Sequence, residues 1–333
     1  MNIFLGNYYK YKKFIPRSTQ LFARHIRAGY LERKHCDQWP CSRYNNPEID
    51  TSIWKEDKKF CLVLTHDVDT EKGIHRCENV MKMEQDMGFR SSFSIVPEKY
   101  DIPNNIISTI QENKFEICVH GYNHDGLLFS SKKIFDKRKK VIEHYLEKWN
   151  SVGFRAPAMH HNLDWISEMK IEYDMSTYEF DPFEPQGGGV GIIFPFMVKN
   201  IYSRRYIVEM PYTLAQDHTL FIVLKRRGIE DWINKIDMIA EQGGMALLIT
   251  HPDYMNFDGG CNLDEYSAEK YYDFLHYIKT NYSGSYWNPL PRELAEHWKE
   301  KKEISNKISK NILQNEHLCN NCKKNLKKVL CTD

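Results

Sequence analysis

Residues 60–70, FCLVLTHDVDT, decide the fold. The mostly apolar run Phe60–Leu64 beside polar turn residues predicts a buried parallel strand, because a strand covered on both faces is apolar along its length. The run then breaks into Thr65-His66-Asp67-Val68-Asp69. Side chains two apart on a strand share a face, so Asp67 and Asp69 converge on one site. Paired carboxylates repel unless a cation or a shared proton offsets them. Taken alone, the pair reads equally well as a solvated strand end capping the next helix. The rest of the chain tips that balance.

Working outward, apolar strands alternate with helical patterns. Strands are predicted at 60–66, 91–96, 115–120, 152–156, 175–179, 207–211 and 246–251, and helices at 74–87, 104–113, 131–149, 162–170, 229–242 and 265–280. This alternation predicts an α/β class with a parallel sheet, and seven strands favour closure into a (β/α)7 barrel. The Gly187-Gly188-Gly189 run reads as a loop, since no helix start with Lys-Ser/Thr follows it.

Three segments are expected: an arm over 1–50, a barrel over 51–298 and a tail over 299–333. The 333 residues carry a net charge of +1, so no global field points to nucleic acid. The ends are basic: residues 1–34 hold eight Lys/Arg against one acid, Glu32, and residues 299–333 hold nine Lys against four acids. Ser18–Lys34 spaces Leu21, Phe22, His25, Ile26, Tyr30 and Leu31 as an amphipathic helix with Arg and Lys between them. Such a helix packs on its own domain or lies on an anionic membrane surface.

No apolar run reaches the roughly 18 residues that span a bilayer. The first residues lack the pattern of a secretory signal, so a cytoplasmic location is expected. Nine scattered cysteines suggest reduced thiols. Cys319, Cys322 and Cys331, with His317, form at most an incomplete metal set.

Barrel chemistry gathers at the C-terminal ends of the strands. Those ends carry Asp67 and Asp69, then His120-Gly-Tyr-Asn-His124, then Arg155-Ala-Pro157, then Thr250-His251-Pro252. Two imidazoles separated by three residues in a turn, joined by a carboxylate, suit a divalent metal such as zinc. A metal that acidifies water is a hydrolase's starting equipment. His251, ending an apolar run, stands where barrels recruit acids and bases. Arg155 alone is uninformative. His66, His160, His161 and His218 are read as structural or surface residues.

In this order the residues resemble the polysaccharide deacetylase superfamily, the NodB-homology domain of carbohydrate esterase family 4. Thr65-His66-Asp67-Val68-Asp69 is similar to its Thr-Phe-Asp-Asp-Gly motif, in an Asp-x-Asp form. His120-Gly121-Tyr122-Asn123-His124 matches His-Ser/Thr-x-x-His, Arg155-Ala156-Pro157-Ala158 matches Arg-x-Pro-Tyr, and Leu248-Ile249-Thr250-His251 matches Leu-x-x-His. The resemblance implies a deformed (β/α)7 barrel and a metal-dependent N-deacetylase. Asp67 would be the base, Asp69, His120 and His124 the ligands of zinc (or nickel or cobalt), Arg155 the orienting residue and His251 the general acid. The changed aspartate spacing leaves the base and ligand roles of Asp67 and Asp69 exchangeable. Gly121 lacks the usual hydroxyl, Ala158 replaces the usual Tyr, and Asp181 is the candidate to tune His251.

The implied substrate is an N-acetylated saccharide or a nucleotide- or lipid-linked sugar, met by a protein that associates peripherally with the membrane through its basic arm. An allantoinase-like amidohydrolase and a non-catalytic carbohydrate-binding protein are the rival readings.

Overall fold

The computed structural model describes residues 16–41, 53–187, 189–203, 205–315 and 320–330. Cys319 and Cys331, and the Cys322 side chain, lie outside the described parts. The described cysteines Cys36, Cys41, Cys61, Cys77, Cys118 and Cys261 are free thiols.

Seven parallel strands form the wall, and a two-residue eighth, Tyr286–Trp287, pairs parallel with Phe60 and Cys61 at the start of the first. The seven are β1 (Phe60–Val68), β2 (Ser91–Ile95), β3 (Glu116–His120), β4 (Gly153–Arg155), β5 (Tyr173–Asp174), β7 (Tyr206–Glu209) and β8 (Met245–Thr250). Their order is β8-β1-β2-β3-β4-β5-β7, every pairing parallel. All nine residues of β1 are buried, as its apolar sequence requires. The result is a curled sheet, a deformed (β/α) barrel.

The deformation lies between β7 and β8, where irregular bonds replace a ladder. The Thr213 and Leu214 N–H groups donate to the Leu247 carbonyl at 3.1 and 3.2 Å, and the Met245 N–H donates to Ile193 O at 2.7 Å. An additional strand, β6 (Phe196–Lys199), pairs antiparallel with β7. No strand lies at 175–179, where one was expected; the chain pairs instead two residues earlier, at Tyr173–Asp174. The chain leaves the ladder there because Ser176 and Thr177 turn to two buried carboxylates. Ser176 Oγ donates to Asp174 at 2.5 Å, and Thr177 Oγ1 and N–H donate to Glu209 at 2.6 and 2.8 Å.

Helices cover the wall: α1 (Arg17–Lys34), α2 (Glu71–Met87), α3 (Ile106–Glu112), α4 (Lys132–Lys148), α5 (Leu163–Ile166), α6 (Glu230–Gln242), α7 (Glu269–Tyr282) and α8 (Pro291–Lys299). Helix α2 stops at Gly88 and α6 at Gly243, both left-handed C-caps that glycine adopts without a Cβ clash. Beyond α8, α9 (Lys302–Gln314) packs on β6, where the Met197 N–H donates to Ser305 Oγ at 3.0 Å.

Candidate active site

The period-two alternation of β1 sorts its polar residues onto two sides. His66 turns under the helices. Its Nδ1 lies 2.7 Å from Thr250 Oγ1 and its Nε2 2.9 Å from the fully buried Glu84, which also accepts from Ser91 and Tyr271. This is a satisfied structural histidine. Thr65, Asp67 and Asp69 face the other way, into the barrel mouth.

Asp67 is buried beside Arg155, which is wholly buried. Arg155 Nη1 donates to Asp67 Oδ1 at 2.7 Å and to Thr65 Oγ1 at 2.9 Å, while its Nε donates to Met175 O at 3.1 Å. Burial raises the Asp67 pKa, but Arg155, then His120 and His251, more than reverse this and hold the carboxyl below its ordinary value. A charge pair this enclosed stands only because each partner is bonded.

Asp69, His120 and His124 each bring one donor atom to a common point, all within 4.8 Å of one another. His124 Nε2 is 3.0 Å and His120 Nε2 3.5 Å from Asp69 Oδ1. Neither contact has hydrogen-bond alignment, so Oδ1 is a buried anion atom without a hydrogen bond. Such an atom is costly unless a cation satisfies it. The histidine tautomer also fits: His120 Nδ1 lies 3.1 Å from the Arg155 carbonyl, so Nδ1–H donates there and Nε2 keeps its lone pair. These residues fit a divalent metal.

The mouth's backbone is unusual. Gly121 has φ +67°, His124 +57°, Ala158 +53° and Met159 +52°. Left-handed non-glycine residues are sparse and are stabilised by their surroundings where they occur. Here Arg138 clamps Asp125, the residue after His124, through both guanidinium nitrogens at 2.6 and 2.5 Å.

His251 ends β8 and faces the same mouth. Its Nδ1 lies 2.6 Å from Asp217 Oδ1, and its N–H donates to Asp217 Oδ2 at 2.7 Å. Burial lowers an imidazole's pKa, but the Asp217 carboxylate, with Asp69 and Asp67 behind it, lifts His251 to about 10.

Asp217 corrects the sequence reading, which took Asp181 as the partner of His251. Asp181 instead accepts from the Phe183 N–H at 2.8 Å and Tyr212 Oη at 3.0 Å, and burial pushes its carboxyl up to about 6. Asp217 carries no motif. A signal was present in its place, a lone acid opening the buried apolar run 219–223.

A second missed residue is Asp253, two beyond His251. Its Oδ2 accepts from the Asp69 N–H at 3.0 Å and its Oδ1 from Thr70 Oγ1, so it ties the β8 loop to a candidate ligand.

Fold and side chains together define a β/α barrel whose mouth carries a carboxylate–imidazole cluster between an Asp–Arg pair and a His–Asp pair. The barrel shares its fold with solved structures assigned as polysaccharide deacetylases. No protein-family model and no curated protein sequence matches the chain. Solved structures do. One assigned as a polysaccharide deacetylase from Mycobacterium smegmatis superposes with a TM-score of 0.56 at 18% identity, covering 75% of this chain and 93% of that one. The Puue allantoinase gives a TM-score of 0.56 at 12% identity over 76% of this chain and 95% of its own. A third, assigned as a polysaccharide deacetylase from Pseudomonas aeruginosa PAO1, gives 0.55 at 13% over 77% and 96%. At these identities the likeness is one of fold.

Proposed function

We propose that the protein is a metal-dependent amide hydrolase that removes an N-acetyl group from a saccharide, in the making or modification of a surface polysaccharide. One observation carries this reading: a three-donor cluster with an unsatisfied buried carboxylate oxygen lies between an ionised Asp67 and a protonated His251.

Asp69, His120 and His124 would hold a divalent cation, zinc by preference and nickel or cobalt by similar chemistry. When bound, such a cation supplies Lewis acidity to a carbonyl oxygen and acidifies water. Asp67, kept ionised by Arg155, accepts the proton of the attacking water. The resulting oxyanion is within the field of His251, whose imidazolium is maintained by Asp217. His251 then gives its proton to the departing nitrogen as the C–N bond breaks, and the cycle closes when Asp67 releases the proton it took and His251 takes one up through solvent. Thr65 and Met175 fix Arg155 so that its charge stays at Asp67.

Similar structures assigned to polysaccharide deacetylation favour a sugar amide. The allantoinase shares the barrel equally well and keeps a non-sugar amide as the second reading. The test is protein purified without chelator, assayed for acetate release from N-acetyl saccharides beside small cyclic and acyclic amides. Acetate release from the sugars alone supports the proposal. Turnover of the non-sugar amides alone overturns it in favour of the second reading, and no turnover with metal bound overturns the hydrolase assignment.

A further inference from the structure

Helix α1 packs one side on the barrel and leaves the other open. On the inner side Ala28 is buried, His25 Nδ1 lies 2.8 Å from the Val223 carbonyl, and Glu32 pairs with Arg226. Just past the helix, His35 and Trp39 meet Phe180 and Phe183 edge-on, with ring centroids 5.6 and 5.0 Å apart.

The outer side carries Phe22, Ile26 and Tyr30, one helical turn apart, at 66%, 58% and 66% exposure. An apolar row this open is unusual on a face that meets only water. Arg27, Arg33 and Lys34 are exposed along its borders. The helix's single acid, Glu32, pairs with Arg226 on the inner side, so no residue of the helix itself places an anion on the outer face.

We propose that this face binds an anionic lipid surface. The stripe is a single convex helix face, suited to shallow insertion between headgroups. Its flanking cations match the anionic phosphates of such a surface, and aromatic and aliphatic side chains enter the headgroup boundary. A protein partner would require a complementary acidic groove, which nothing about a lone convex stripe demands.

The position of the helix gives the contact a use. It packs on the turn His218–Val223, which begins at Asp217, the residue that holds His251. A bilayer against α1 would therefore stand beside the barrel mouth, where a saccharide on a lipid carrier could reach the site. This last step rests on the hydrolase reading; the lipid contact does not.

The test is co-sedimentation of the full chain with vesicles of phosphatidylcholine alone or with phosphatidylglycerol added. Binding is expected only with the anionic lipid, and rising salt should release it. The F22S/I26S/Y30S variant should bind more weakly, and R27Q/R33Q/K34Q about a hundredfold more weakly, with unchanged metal content. Failure to sediment with the anionic vesicles, or equal binding to uncharged ones, overturns the proposal. So does a lipid-free dimer, seen by sedimentation velocity, that F22S/I26S/Y30S splits, because the face would then be a self-interface. Vesicle binding without N-acetyl hydrolysis would sink the proposed reaction and leave the lipid surface standing.

Discussion

His251 and Asp217 are joined twice, through the ring Nδ1 at 2.6 Å and through the His251 backbone N–H at 2.7 Å. Both carboxylate oxygens thus reach His251, and the His218 N–H at 2.7 Å and Tyr266 Oη at 2.9 Å donate to the same two oxygens, fixing the carboxylate and with it the ring's orientation and charge. A folded pKa of about 10, against an ordinary value of about 6.5, means the ring is protonated throughout the neutral range. The raised pKa gives stability that is full below about pH 6.5 and is lost as pH rises toward 10. Asp217→Asn should bring the alkaline limb of the rate profile down toward neutrality. Its deficit in melting temperature should be largest below pH 6.5 and shrink by pH 10. An unmoved alkaline limb would show that His251 is not the acid.

His124→Ala should abolish binding of the metal, from about one ion per chain to none, and with it amide hydrolysis. In the wild type, chelator should remove activity and added zinc should restore it. Elemental analysis beside acetate release measures both. Full turnover in a metal-free wild-type preparation would refute a metal-dependent reaction.

The wall of the barrel and the converging residues of its mouth were legible because both rest on local periodicity. Alternation in β1 placed Asp67 and Asp69 on one side and His66 on the other, and the structure arranges them so. The Asp217 contact spans 34 residues of sequence and joins a turn to a strand end, a relation no local pattern encodes. Strand β6 was missed for a similar reason. Four residues, Phe196–Lys199, pair only because β7 offers an open edge, and the barrel's irregular closure creates that edge.

Arg155 is expected to matter to stability as much as to rate. Arg155→Met leaves the Asp67 charge buried beside an apolar side chain, a loss of about 3–5 kcal/mol. Asp67→Asn alone should lower the rate by about 10²–10⁴-fold. The Asp67→Asn/Arg155→Met double variant should recover part of the stability without activity, because the uncompensated charge is gone. Urea titrations of the three variants decide this; additive losses would mean the two residues are not coupled.

Asp253 should act on metal affinity through Asp69. Its carboxylate holds the Asp69 N–H and stands over the first turn of α2, where a Cβ on Gly73 would come within 2.3 Å of Oδ2. Asp253→Asn should weaken zinc binding by about 10–100-fold, and saturating zinc should restore most of the turnover. Titration against a competing chelator measures the affinity. An unchanged affinity would reduce Asp253 to a helix cap.

Gly121 is the departure from the deacetylase pattern with the clearest physical cause. The motif places Ser or Thr here, yet this backbone has φ +67°, and a Cβ would come within 2.4 Å of Pro157 Cδ. The proline ring is rigid and follows Arg155 by two residues, so relief would have to move either the histidine turn or the arginine strand. Gly121→Ser should therefore cost about 1–3 kcal/mol and lower zinc affinity, since His120 and His124 flank the strained position. Restoring the motif's hydroxyl is expected to impair metal binding. The Gly121→Ser/Pro157→Ala variant, which removes the opposing ring carbons, should regain part of the loss. Denaturant midpoints and zinc titrations of the single and double variants test the claim. A Gly121→Ser protein as stable and as zinc-avid as the wild type would mean that this turn has room for a side chain after all.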